Sequence, residues 1–289
     1  HGTVLLDDKL RLLGPAIIWC DQRSKAEVAQ VYRQFSPLEL ADLVQNPVAA
    51  GFQLSSLLWL QANDPAAYRR IRQVLLPKDY LRFRLTGAIG TEPTDACGTL
   101  LYDVIREEWS QEMLRQFDID RRLLPDPGHR PCDIAGTLTA AAAGELGLKK
   151  QTFVVFGGGD QPMQAVGNGV LKDDQPLLTL GTGGQVLVPT STPTPDPELR
   201  FHTFCHAQAG SWYYLGAVLN AGLALNWALR NCFDLTVFQE ADELAGKSPA
   251  GSRGLFFLPY ISGERTPYMN PDARGIFWGM GLGHTREDL

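Results

Sequence analysis

The β-branched and aromatic run Thr152-Phe153-Val154-Val155-Phe156 opens directly into Gly157-Gly158-Gly159-Asp160, and Pro162 follows. A short uncharged run of this kind reads as a buried strand. Proline is well tolerated in the first turn of a helix, so a helix is expected to begin near Asp160. The chain is thereby held to an architecture in which strands hand over to helices through glycine turns, an α/β fold. Asp160 has two readings. It caps the helix start, or it stands at the carboxyl end of a strand, where α/β sheets bind ligands. In the second case it is a general base for a hydroxyl proton, and the three glycines let a substrate come close to the backbone.

A second glycine turn, Gly181-Thr182-Gly183-Gly184, separates two strand-like runs at 177–180 and 185–188. It is either a hairpin whose glycines permit positive φ, or a nest of backbone amides that binds an anion with help from the Thr hydroxyl. Helices are expected elsewhere. Ser36-Pro37-Leu38-Glu39 is a capping box with proline in the first turn, opening a helix to about Val44. Further helices are expected over 54–62, from Asp64-Pro65 with Tyr68, Ile71 and Leu75 on one face, and over 78–85 closed by Gly87. Others are expected over 109–117, 139–146 and 221–229, with strands over 212–215 and 254–260. Lys172-Asp173-Asp174-Gln175 interrupts two apolar stretches, and a boundary between domains 1–172 and 173–289 is placed there.

With 26 Lys+Arg against 32 Asp+Glu, the formal net charge is −6. No run is rich in Lys or Arg, so the chain is poorly suited to neutralising nucleic-acid phosphates. No apolar run approaches the ~18 residues of a membrane-spanning helix. Five cysteines are widely spaced with no C-x-x-C pair. Reduced, mostly buried thiols in a cytoplasmic protein are expected. Gly246-Lys247-Ser248 fails as a P-loop because Ala241 stands where glycine is required. Pro162 likewise breaks a G-x-G-x-x-G match after Gly157 and Gly159. His202, Cys205 and His206 fall on one expected strand, facing both ways, and no metal site is expected.

Several further segments, taken with the two glycine turns, carry a family resemblance. They are His1-Gly2, Ile18-Trp19-Cys20-Asp21-Gln22-Arg23, Leu76-Pro77-Lys78-Asp79-Tyr80-Leu81, residues 91–99, and Leu258-Pro259-Tyr260-Ile261-Ser262-Gly263-Glu264-Arg265-Thr266-Pro267. With residues 275–279 they resemble the FGGY carbohydrate kinases, nearest to the xylulokinase members, over nearly the whole chain. The resemblance implies two actin-like, ribonuclease H-like ATPase domains with an active site in the cleft between them. The first would lack its N-terminal strands and the second would be incomplete at its C-terminus.

The resemblance also implies ATP and Mg²⁺, with phosphoryl transfer to the 5-hydroxyl of D-xylulose to give D-xylulose 5-phosphate. Asp160 would be the base. His1, Gly2, Gln161 and Trp19 would contact the sugar, and Gly181, Thr182 and Gly183 the ATP phosphates, with no metal ligand assigned. The partners implied are a small sugar and ATP, without nucleic acid or membrane, and a homodimer is compatible. Gly183 stands where Ser is commoner and Gln161 where Asn is commoner, both as in glycerol kinases. A kinase for glycerol or another polyol therefore stays open, as does a non-catalytic sugar-binding fragment. The resemblance places further nucleotide-binding segments before His1 and after Leu289, so this chain alone is expected to be inactive.

Overall fold

In a computed structural model, which describes residues 1–270 and 272–289, the chain divides into two compact units. The first comprises His1–Pro176 and Leu187–Tyr214, and the second Leu177–Val186 and Leu215–Leu289.

The first unit begins with β1 (Gly2–Leu6) and β2 (Ile17–Ile18). Helix α1 (Lys25–Gln34) precedes α2 (Pro37–Leu43), where the capping box is realised. Ser36 Oγ accepts the Glu39 amide at 3.3 Å and the Glu39 carboxylate accepts the Ser36 amide at 2.7 Å. Helix α3 (Gln53–Asn63) is buried along most of its length. Helix α4 (Pro65–Arg70) starts on an Asp64 cap, but it stops before Ile71. The expected continuation through Leu75 is wrong because Arg72 donates its amide to the Leu6 carbonyl and the chain joins the sheet as β3 (Gln73–Leu75). The sheet order is β2-β1-β3, antiparallel throughout. Val4, Leu6 and Leu75 form a core cluster flanked by Tyr80, Phe83 and Ile89.

Helix α5 (Pro77–Thr86) ends on Gly87 in the left-handed conformation, φ 79°, as its position predicts. The single-turn helix α6 (Pro93–Ala96) follows. Strands β4 (Tyr102–Asp103) and β5 (Glu108–Trp109) pair with each other. Trp109 therefore lies on a strand, and α7 (Gln111–Gln116) starts later than expected, capped by Ser110. Strand β6 (Ile134–Thr137) leads to α8 (Ala140–Leu146), which Thr139 caps and Gly147 closes. Strand β7 (Phe153–Val155) then precedes α9 (Asp160–Gly167). The expectation that this strand is buried is corrected: Phe153 is 67% and Val155 48% exposed. Among the described residues β7 pairs with β6 alone, so only its Val154 face is covered, by Leu138, Ala142, Ala143 and Leu85.

Strands β8 (Leu177–Leu180), β9 (Gly184–Thr190), β10 (His202–Cys205) and β11 (Trp212–Val218) form one sheet in the order β10-β11-β9-β8. The second unit continues with α10 (Gly222–Asn231) and α11 (Phe238–Ala245). Strands β12 (Phe256–Leu258) and β13 (Ile276–Trp278) pair antiparallel, β12 being shorter than the expected 254–260. Cys97 and Cys205 are buried, but Cys20, Cys132 and Cys232 are exposed, contrary to the expected burial of most thiols. Among the described residues no helix is long and apolar enough to cross a membrane.

Candidate functional site

Helix α6 is where the first unit gathers its polar groups. Its cap is Glu92, whose carboxylate accepts the amides of Thr94 at 2.9 Å and Asp95 at 3.2 Å. These bonds satisfy donors that a helix start would otherwise leave unpaired. Glu92 is fully buried, and burial pushes its carboxyl pKa up. Lys78 on α5 offsets that cost. Its Nζ lies 2.8 Å from Asp79, 3.1 Å from Glu92 and 3.9 Å from Asp95. Burial acts to lower the Lys78 pKa, but the neighbouring carboxylates outweigh it and raise the value. Arg82, also buried, pairs with Asp79 at 2.7 Å, donates to the Phe156 carbonyl at 3.3 Å and lies over the Phe156 ring. Helix α5 thus holds both α6 and the residue before the first glycine turn.

His1 is tied to this cluster. Its Nδ1 lies 3.0 Å from Asp95 Oδ1. The ring meets Phe52 edge-on at 5.4 Å between centroids and Phe204 at 5.7 Å. Gly2 follows in β1, paired with Ile18. Continuing that antiparallel register puts Trp19 across from His1. Trp19 is 49% exposed, and so does not act as a core aromatic.

The glycine turn before Asp160 hangs from the same helix. Thr94 Oγ1 accepts the Gly159 amide at 2.9 Å. A Cβ on Gly158 would stand 2.8 Å from that oxygen and 2.7 Å from Met163 Cε, so a side chain at that position would push Thr94 or Met163 aside. Gly157 takes φ 70°, a left-handed value that favours glycine. Gly159 is the cap and Asp160 the first residue of α9, so the capping reading of Asp160 shifts by one position. The Asp160 carboxylate is exposed, and Oδ1 accepts the Gln161 amide at 2.9 Å. Negative charge is favourable at a helix start. Asp160 also acts on buried Tyr213, whose phenol pKa is raised first by burial and then by negative neighbours that include Asp160 and Asp95. Gln161 Oε1 is buried and accepts no hydrogen bond.

The second unit carries the other glycine turn. The Thr182 carbonyl accepts the amides of Ala221 and Leu223, both at 3.0 Å, and the Gly181 carbonyl accepts that of Gly222 at 2.9 Å. The start of α10 therefore spends its amides on this turn. Gly181 and Thr182 are themselves exposed. None of the turn's glycines takes positive φ. Close packing requires Gly183 instead, since a Cβ there would stand 2.6 Å from the Val218 carbonyl oxygen; one on Gly222, at the start of α10, would stand 2.6 Å from the Gly181 carbonyl oxygen. Nearby, the buried Glu264 carboxylate accepts the amides of Leu219 at 3.1 Å and Arg265 at 2.7 Å.

The structure therefore places His1, Gly2, Trp19, Asp160 and Gln161 in the first unit, with His1 and the turn before Asp160 bonded to α6. It places Gly181, Thr182 and Gly183 in the second. Sequence reasoning gave no role to Lys78, Glu92, Thr94, Asp95 or Gly98. The available signal was the spacing of Glu92-Pro93-Thr94-Asp95, in which an acidic cap and a first-turn proline mark a helix start.

Residues 1–167 match the FGGY family of carbohydrate kinases, N-terminal domain, and residues 177–289 match the C-terminal domain of the same family. The chain is 36% identical to a xylulose kinase of Bacillus subtilis over 99% of its own length and 57% of that protein. It is 37% identical to a xylulose kinase of Klebsiella pneumoniae over its whole length and 59% of that protein. Among solved structures, one titled as a xyloylose kinase from Brucella ovis superposes with a TM-score of 0.90 at 35% identity, covering all of this chain and 58% of the other. The chain thus spans somewhat more than half the length of the relatives it matches.

Proposed function

The chain belongs to the FGGY family of carbohydrate kinases and has its two-domain fold, and on that basis we propose that it serves the ATP-dependent phosphorylation of a pentulose, D-xylulose to D-xylulose 5-phosphate. One observation carries this reading: the exposed Asp160 carboxylate and the His1 ring are both held by α6, through Thr94 and Asp95. Residues 1–172 would be the sugar-binding domain and 173–289 the ATP-binding domain. The xylulose kinases that align along the whole chain support a pentulose as substrate.

In this proposal His1, Gly2, Trp19 and the unpaired Gln161 Oε1 hold the sugar. Asp160 takes the proton of the 5-hydroxyl as its oxygen bonds to the γ-phosphorus and the bond to the β-bridging oxygen breaks, releasing ADP. Catalysis of this kind is mostly positioning and electrostatic stabilisation. The turn at Gly181, Thr182 and Gly183 suits an anion, because it presents the exposed Thr182 hydroxyl between two residues without side-chain bulk, although the Gly181 amide is given to the Gly183 carbonyl. ATP phosphates would lie there, with Mg²⁺ carried on the nucleotide and supplying charge neutralisation.

ADP formation by the full-length gene product, compared across D-xylulose, glycerol, L-ribulose and gluconate, tests the reading. Preference for D-xylulose, abolished in Asp160→Ala with sugar binding retained, is expected. Unchanged turnover in Asp160→Ala removes the base role. A second reading, a kinase for glycerol or another polyol, rests on Gln161 and Gly183, and a preference for glycerol would select it.

A further inference from the structure

We propose that Asp95 and Gly98 form a seat that locks His1 in one ring orientation with the proton on Nδ1, and so make this pair a determinant of sugar selectivity. The selectivity clause rests on the sugar-kinase reading of the first unit.

Asp95 is a buried carboxylate, and it is gripped from several sides. Its amide is bonded to Glu92, Oδ2 lies 3.9 Å from Lys78 Nζ, and Oδ1 lies 3.0 Å from His1 Nδ1. An ionised carboxylate only accepts hydrogen bonds, so Nδ1 must carry the proton of that contact. Which ring nitrogen is free for other work is set by the bond the first one makes. Here it is Nε2, which has no hydrogen-bond partner among the described residues.

Gly98 supplies the floor. A Cβ there would overlap the imidazole, falling 2.6 Å from Nε2 and closer still to Cε1 and Nδ1. The ring lies directly on the glycine backbone, with Phe52 and Phe204 beside it. Three constraints therefore act on one ring: an acceptor at Nδ1, a bare backbone beneath it and aromatic walls. They leave Nε2 and little else for a sugar hydroxyl. A site built to hydrogen-bond a particular hydroxyl strongly rejects analogues that lack it. Asp95 and Gly98 are positioning residues in this scheme, acting through His1.

The test is nuclear magnetic resonance of the 289-residue chain with ¹⁵N-labelled histidine, paired with calorimetric titration of D-xylulose, L-ribulose, gluconate and glycerol. A protonated Nδ1 of His1, with a downfield ring proton that disappears in Asp95→Leu, which removes the acceptor, is expected. Asp95→Leu, by loss of a charge-assisted bond, and Gly98→Ala, by displacing the ring, should each weaken D-xylulose binding about tenfold or more. Circular dichroism identifies a variant that fails to fold, and Asp95→Glu, which keeps the carboxylate, then replaces Asp95→Leu and should retain the ring proton. An unprotonated Nδ1 in the wild type, or a ring signal indifferent to Asp95→Leu, overturns the seat. Wild-type binding that neither variant weakens overturns the selectivity claim. A wild type that binds none of the sugars counts against the kinase reading and the selectivity claim together, while the ring proton still decides the seat.

Discussion

Thr94 Oγ1 accepts the backbone amide of Gly159 at 2.9 Å, joining a single-turn helix to a glycine turn 65 residues further along the chain. The bond fixes the approach of the chain to Asp160. Thr94→Val keeps the shape and removes the acceptor, leaving a part-buried amide unpaired at about 1–3 kcal/mol. Turnover of the full-length gene product should fall about tenfold, with the KM for D-xylulose changed less. Steady-state kinetics over a range of sugar concentrations measures both.

Gln161 Oε1 is a buried acceptor with no partner. An orphaned polar atom costs stability, and an apolar group of similar shape removes the cost. Gln161→Met should therefore raise the urea midpoint slightly while raising the KM for the sugar. The two changes have opposite consequences for fitness, which separates a binding role from a structural one. A lower midpoint with unchanged KM contradicts this assignment.

Gly222 lies under the Gly181 carbonyl with no room for a Cβ. Gly222→Ala must push the turn outward, because the obstruction is backbone. The KM for ATP should rise severalfold while calorimetric binding of D-xylulose to the chain stays at the wild-type value. Weakened sugar binding with an intact KM for ATP would contradict the assignment of this turn to the nucleotide.

Asp7 accepts the Arg11 and Lys9 amides, each at 2.9 Å, and the Arg11 guanidinium at 2.8 and 3.0 Å. The Arg11 amide and then its side chain hold the Asp7 carboxyl at a pKa of about 2 instead of 3.8. A lowered acid pKa contributes stability that is present above the unfolded value and lost as pH falls through the folded one. The difference in thermal midpoint between wild type and Asp7→Asn should be constant above about pH 5 and should vanish as the pH drops toward 2. A difference that persists at the acid end contradicts this.

Much of the local structure was legible because its causes are local. The Ser36–Glu39 box and the glycine at 87 act within one helical turn, and each does what its position predicts. The failures came from distant partners. Nothing near Ile71 says that Arg72 will donate to Leu6, and that bond is what turns an expected helix into a strand. The apolar run before Gly157 looks buried, yet burial depends on how many strands cover it, and β6 alone pairs with it among the described residues. The base candidate and the turns could be named from composition and spacing. The Asp95–His1 pair could not, since 94 residues separate its members and no periodicity connects them.

The placement of Thr94 and Asp95 side by side on Glu92's amide-binding carboxylate has an evolutionary consequence. One short helix carries the support for the proposed sugar contact, His1, and for the proposed proton acceptor, so a displacement at its start reaches both in step. Substitutions that retune sugar preference by moving α6 will alter turnover in the same stroke. Lineages that change substrate would be expected to leave Glu92 and its two clients alone, and to vary the walls around His1 instead.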